Sequence, residues 1–160
     1  MKKKEMQLLV ELIKNSSRSD RKLAKVLGTS QPTVTRMRNK LIKEGFIQEF
    51  TVIPDFAKMG FEIVAVTLTK IKFDPELSER LKKCVMARPN AIFCAGCEGL
   101  GKNRICISFH KDYADYYSFI TKYMTEWRDV IESYDSILIS IPGTIVKPLS
   151  LKYLTELFEE

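Results

Sequence analysis

Apolar residues recur along residues 5–14 at Met6, Leu9, Val10 and Ile13, the i, i+3, i+4, i+7 spacing of an amphipathic helix. A polar turn, Asn15-Ser16-Ser17-Arg18-Ser19, follows. Ser19 is a good N-cap, and Asp20 lies in the next first turn, where negative charge is favoured. Leu23, Ala24 and Leu27 mark the buried face of a second helix, and Gly28 is placed to end it. Ser30 then offers a new N-cap with Pro32 in the first turn, and Val34, Met37 and Leu41 form the stripe of a third helix stopped by Gly45. Two helices joined by about four residues containing Gly make a helix-turn-helix unit. The β-branched and aromatic run Phe46–Ile53 reads as a strand, a short wing or an exit from the module.

From residue 62 the pattern changes. Ile63–Phe73 reads as a strand, and Asp74-Pro75-Glu76 opens a helix with Asp74 as N-cap and the stripe Leu77, Leu81, Cys84, Val85. Ala91–Cys97 and Ile105–Phe109 are short strands around the turn-rich Glu98–Arg104 loop. Tyr113, Tyr116, Ile120, Tyr123, Trp127 and Val130 trace a long helix with an aromatic face, and Ser136–Ile141 is a final strand. The order β-α-β-β-α-β predicts a ferredoxin-like domain, so the fold class is α+β. Both helices then cover one sheet face, and apolar residues on the other call for a partner, a second copy of the chain. The expected domains are 1–53, a linker at 54–61, 62–144, and a tail at 145–160. Leu149, Leu151, Leu154, Leu157 and Phe158 predict a short tail helix packed on the second domain or a neighbour.

Charge sharpens this reading. The 160 residues carry 26 Lys+Arg against 20 Asp+Glu, with a pI near 9.1. Residues 1–53 hold 12 basic and 5 acidic side chains; residues 54–160 hold 14 and 15. The excess is confined to the helix-turn-helix third, which points that module at a polyanion, double-stranded DNA first. The third helix leaves Gln31, Thr33, Thr35, Arg36, Arg38, Asn39, Lys40 and Lys43 off its apolar stripe. Arg forks onto guanine, Gln and Asn onto adenine, and Thr meets a thymine methyl. Gln31, Thr33, Thr35 and Arg36, nearest the helix start with Ser30, are expected at bases; Arg38, Asn39, Lys40 and Lys43 are expected at the backbone. Arg18, Arg21 and Lys22 are expected to hold a phosphate.

Ser19 to Ser30, with its Leu23-Ala24 and Leu27-Gly28 pairs, resembles the corresponding segment of Lrp/AsnC (feast/famine) transcription regulators of archaeal type. So do Val34–Leu41, the Glu44-Gly45-Phe46-Ile47 exit, and Met59-Gly60 before a strand. The resemblance runs from about Met6 to about Ile141. It implies a cytoplasmic winged helix-turn-helix regulator that dimerises through a ferredoxin-like sheet and binds a small effector, such as an amino acid. The family's hairpin turn carries Gly-x-Asp; Gly101-Lys102-Asn103 stands here, with Asn for Asp. Gly99, Gly101 and Asn103 are the candidate effector contacts, although a plain hairpin loop is the favoured reading.

Some siroheme decarboxylases resemble the same two-domain arrangement, but they have no need of the basic third helix. Cys94-Ala95-Gly96-Cys97 has no second C-x-x-C to complete a zinc site, so structural cysteines are preferred over metal or redox sensing. No phosphate loop, nucleophile elbow or H-E-x-x-H is present, and a non-enzyme without cofactor or metal is expected. No apolar run approaches the roughly 20 residues of a membrane helix, and the Lys-rich start lacks an unbroken apolar stretch and cleavage site.

Overall fold

The computed structural model describes residues 1–72 and 75–158, apart from the side chains of Pro75, Leu77 and Ser78. The N-cap expected at Asp74, and the side chain of Leu77, lie outside that description. The chain forms two compact units, Met1–Ile53 with the end from Pro148, and Pro54–Lys147.

In the first unit, α1 (Lys3–Lys14), α2 (Asp20–Val26) and α3 (Gln31–Lys43) enclose a core of Leu8, Leu12, Leu23, Ala24, Val34 and Leu41. The two internal caps form as expected: Ser19 Oγ accepts from the Lys22 N–H and Ser30 Oγ from the Thr33 N–H. Gly28 at φ +56° closes α2, with Thr29 N–H bonded to Ala24 O and Gly28 N–H to Lys25 O. Gly45 at φ +76° repeats this after α3, Phe46 N–H reaching Leu41 O and Gly45 N–H reaching Ile42 O. These are Schellman closures, which satisfy the terminal carbonyls and reverse the chain within about one turn. The Gly28 reversal sets the angle at which α3 leaves α2, and the Gly45 reversal turns the chain away from the end of α3.

The inward face of α1 differs from expectation. Val10 is buried as expected, but Leu8 and Leu12 supply the central core, and Met6, Leu9 and Ile13 are only half-buried. The helix carries two overlapping apolar stripes, and the stripe through Glu5, Leu8 and Leu12 was disguised by its carboxylate. Glu5 is 5% exposed; it accepts from Lys40 Nζ at 2.7 Å and from the Lys2 backbone N–H at 2.8 Å. Phe46–Ile53 is a second difference, because no strand forms there. Its β-prone side chains have no second strand in this unit to pair with, and a lone strand has no ladder to stabilise it. The tail forms a 3₁₀ helix, Leu151–Phe158, that belongs to the first unit and rests on α1. Thr155 is its buried residue; Leu151, Leu154 and Leu157, three apart on a three-residue turn, stay exposed along one edge.

The second unit contains β1 (Ile63–Ile71), α4 (Pro75–Met86), β2 (Ala91–Gly99), β3 (Lys102–His110), α5 (Tyr113–Glu126) and β4 (Ile131–Ser140). The sheet is antiparallel in the order β2-β3-β1-β4. Ala65 and Ile71 of β1 pack with Leu81 of α4 and with Tyr116 and Ile120 of α5, so both helices lie on one face. Side chains alternate, so Val66, Leu68, Ile105, Ile107 and Ile137 share the other face, where Ile137 is 60% exposed. The expected Glu98–Arg104 loop is mostly strand: Gly99 pairs with Lys102 around a two-residue turn, Leu100-Gly101. The expected linker is a turn bonded from Phe61 N–H to Phe56 O, with the Phe56 ring tilted against Phe109 at 4.3 Å between centroids. His110 is fully buried; burial lowers its pKa, and its Nε2 meets Ser108 Oγ at 2.8 Å.

Candidate nucleic-acid interface

An α-helix turns about 100° per residue, so the face of α3 opposite Val34, Met37 and Leu41 is already fixed. Arg36, Asn39 and Lys43 point there, and all three are exposed. Gln31, Pro32, Thr35, Arg36 and Asn39 together line a shallow groove along the helix. Pro32, read from sequence only as a helix starter, is part of this surface. Among the described residues Arg36 and Lys43 have no acidic partner, and neither do the exposed Arg21 and Lys22 at the start of α2.

Other candidates are occupied. Arg38 and Lys40 sit at the two borders of the buried stripe, where a long cation reaches a neighbouring helix more easily than solvent. Arg38 Nη2 lies 2.5 Å from Asp20 Oδ1 and 3.4 Å from Arg18 O, with its guanidinium over the Phe50 ring. Lys40 holds Glu5, with Glu44 at 3.8 Å. Arg18 pairs with Glu11. Without DNA these three cations are engaged by internal carboxylates and brace the helices against one another, so any phosphate contact would compete with those pairs. Thr35 gives its hydroxyl to Asp20 Oδ2 at 2.6 Å and remains exposed. Ser30 and Thr33 are a hydroxyl pair at 2.8 Å within the cap, and Thr33 is half-buried. Asp20, whose place at a helix start suggested only a dipole role, is the hub that joins α2 to Thr35 and Arg38. A charge at an N-terminus that also faces a recognition helix was the available signal.

The Glu5–Lys40 pair makes acid stability a test of this bracing. The Lys40 hydrogen bond, then that of the Lys2 backbone, holds the Glu5 carboxyl below its ordinary 4.5, and the same bond raises Lys40. A lowered carboxyl stabilises the fold above the unfolded value and stops doing so as pH falls through the folded one. The melting-temperature gap between the wild-type chain and Glu5→Gln is therefore expected to be open at about pH 7 and to close steadily below about pH 4.5. A gap that stays constant down to about pH 3 contradicts the pairing.

In the second unit the turn candidates come apart. Asn103 Nδ2 donates to Ile71 O at 2.8 Å and its Oδ1 accepts from Ile71 N–H at 2.9 Å. The amide replaces a missing rung of the ladder, so Asn103 is not free for an effector, while Gly99 and Gly101 are hairpin residues. The Cys94-x-x-Cys97 spacing does not create a pair either: Cys94 stands opposite Cys106 across β2 and β3, and Cys97 lies where the register slips. The hydrogen bond with Cys94, together with burial, pushes the Cys106 thiol up. Among the described residues no three His, Cys, Asp or Glu side chains converge as a metal site, and no helix is long and apolar enough to cross a membrane.

Known proteins share this arrangement. A family model described as winged helix-turn-helix DNA-binding matches residues 1–48. The uncharacterized HTH-type transcriptional regulator PH0061 of Pyrococcus horikoshii is 30% identical over 139 residues, 85% of this chain and 90% of its own length. Its crystal structure superposes with a TM-score of 0.80, covering 94% of this chain and 97% of that one. The HTH-type transcriptional regulator LrpC of Bacillus subtilis is 29% identical over 90 residues, 56% of this chain and 61% of its own. An AsnC family transcriptional regulator from Agrobacterium tumefaciens has the same fold at 19% identity, with a TM-score of 0.81 over 96% of this chain and 99% of that one. With the helix-turn-helix, the βαββαβ domain and a relative aligned over most of both chains, the chain belongs to the Lrp/AsnC family of HTH-type transcription regulators.

Proposed function

We propose that the chain binds double-stranded DNA in a sequence-specific way by laying α3 in the major groove, with Gln31, Thr35, Arg36 and Asn39 toward the bases. Lys43, Arg21 and Lys22 then take phosphates. One observation carries this reading: the solvent face of α3 presents a forked cation and two amides on one groove, free of internal ion pairs, while Arg38 and Lys40 are turned to structural work. Arg and the carboxamides are the side chains that discriminate bases bidentately. The open apolar face of the sheet, with Ile137 and Phe93 about half exposed or more, supports a homodimer or higher assembly. A two-fold dimer reads half-sites about 34–36 Å apart. Such a protein regulates transcription from the cytoplasm by occupying promoter DNA.

The test is selection of bound duplexes from a random library, followed by affinity measured against salt concentration. A two-fold-symmetric consensus is expected. Lys43→Gln should weaken binding similarly for all sequences and reduce the log–log salt slope by about 1. A folded protein that selects no duplex at low salt overturns the proposal.

A further inference from the structure

The core of the second unit is divided. One buried cluster surrounds Leu81, Trp127 and Ile131; another surrounds Ala65, Tyr116 and Ile120. Between sheet and helices lies a cavity of about 400 Å³. Its origin is legible in the residues. The sheet floor is small, with Thr67 and Thr69 on β1, Cys106 on β3, and Cys94 and Gly96 on β2. Alternation places these side chains on the helix-covered face. The roof is large and apolar, with Val85 of α4 and Phe119 and Tyr123 of α5. The cavity is partly open to solvent at Lys82 and Met86, which leaves a way in for a ligand.

The charges around it are asymmetric. Arg88 is satisfied: it pairs with Glu126 at 2.8 Å and lies 4.8 Å over Tyr123 and 5.4 Å over Phe119, serving as wall. Arg104 is not. It stands opposite Gly96, whose missing side chain leaves the guanidinium room across β2, with Nη1 3.8 Å from where a Cβ would sit. It donates to its neighbour's carbonyl, Asn103 O, at 2.7 Å, and has no carboxylate partner among the described residues. Among the described residues no Asp or Glu lines the cavity. Burial pushes the Tyr123 hydroxyl up to about 12, so it stays neutral.

We propose that this cavity is a binding site for a small organic acid with an apolar body and no amino group, its carboxylate forked by Arg104 and its body against Val85, Phe119 and Tyr123. Carboxylate and guanidinium match bidentately. An α-ammonium brought into the same space would lose its water with no anion to replace it, which disfavours amino acids. The site lies within a single unit and is separate from the hairpin turn discussed above.

Three matched probes test it: 3-phenylpropionate, L-phenylalanine, which adds the ammonium, and 3-phenyl-1-propanol, which lacks the acid. Binding is read by calorimetry and by emission of Trp127, the sole tryptophan, in the buried cluster with Val85 and Tyr123 beside the cavity. No DNA is present, so failure here and failure of duplex binding are distinguished. 3-Phenylpropionate is expected to bind and to change Trp127 emission, with the other two at least about tenfold weaker. Arg104→Met should weaken the acid about tenfold or more and leave the alcohol unchanged, with Arg104→Lys intermediate. Gly96→Leu, which fills the floor and crowds the Arg104 guanidinium, should weaken the alcohol and weaken the acid at least as much. No binding of the acid, L-phenylalanine binding as tightly, or Arg104→Met binding like wild type overturns the proposal.

Discussion

Arg36→Glu is expected to abolish duplex binding while leaving the melting temperature of the protein unchanged. Arg36 is exposed, has no internal acidic partner among the described residues, and lies opposite the buried stripe of α3. Its removal therefore takes nothing from the core. A lost fork on guanine costs about 1–3 kcal/mol. A carboxylate brought against the phosphates adds repulsion, so the affinity should fall about 100-fold or more at constant salt. Equilibrium binding by fluorescence anisotropy, with a thermal melt of the same sample, decides the matter. Affinity within a factor of about 3 of wild type would remove Arg36 from the interface and leave the proposed face without its main reader.

The neighbouring cation should behave in the opposite way. Arg38→Glu is expected to unfold or severely loosen the helix-turn-helix unit, because it sets a carboxylate against Asp20 where both side chains are only 18% exposed. Removing one member of a fully buried pair costs about 3–5 kcal/mol, so for this partly buried pair a cost of about 1–3 kcal/mol is expected, and reversing the charge costs no less. Arg38→Met, which keeps the packing beside Phe50 and leaves Asp20 held by Thr35, should fall between the two. Chemical denaturation read by helical circular dichroism gives the comparison. If Arg38→Glu melts like wild type and loses only DNA affinity, Arg38 is a phosphate contact and the bracing role fails. The contrast between two arginines two residues apart tests the geometry of the site more sharply than either variant alone.

That contrast also marks where the chain was readable. The caps at Ser19 and Ser30, the two Gly reversals and the stripe Val34–Met37–Leu41 were legible because each is a local matter of backbone hydrogen bonds and a 3.6-residue period. The same period left Arg36, Asn39 and Lys43 off the buried stripe, together with Arg38 and Lys40. The pairing of Arg38 and Lys40 was not legible, because their partners, Asp20 and Glu5, lie 18 and 35 residues away in sequence. A carboxylate on the inward face of α1 looks polar to any pattern count and becomes buried only once a distant ammonium neutralises it. The strand expected at Phe46–Ile53 failed for a related reason: β-propensity describes a surface that suits a ladder, and the ladder must come from elsewhere.

The sequence by itself determined the order of elements, the fold class and the basic character of the first third, because hydrophobic period, turn residues and net charge are properties of short stretches. Tertiary structure alone decided which cations are spent inside the protein, that Cys94 faces Cys106 and not Cys97, that Asn103 completes a ladder, and that a cavity remains beside Arg104. Each of these depends on which distant residues the packing brings within a few ångströms, and side-chain pairing across that gap leaves no periodic trace in the chain.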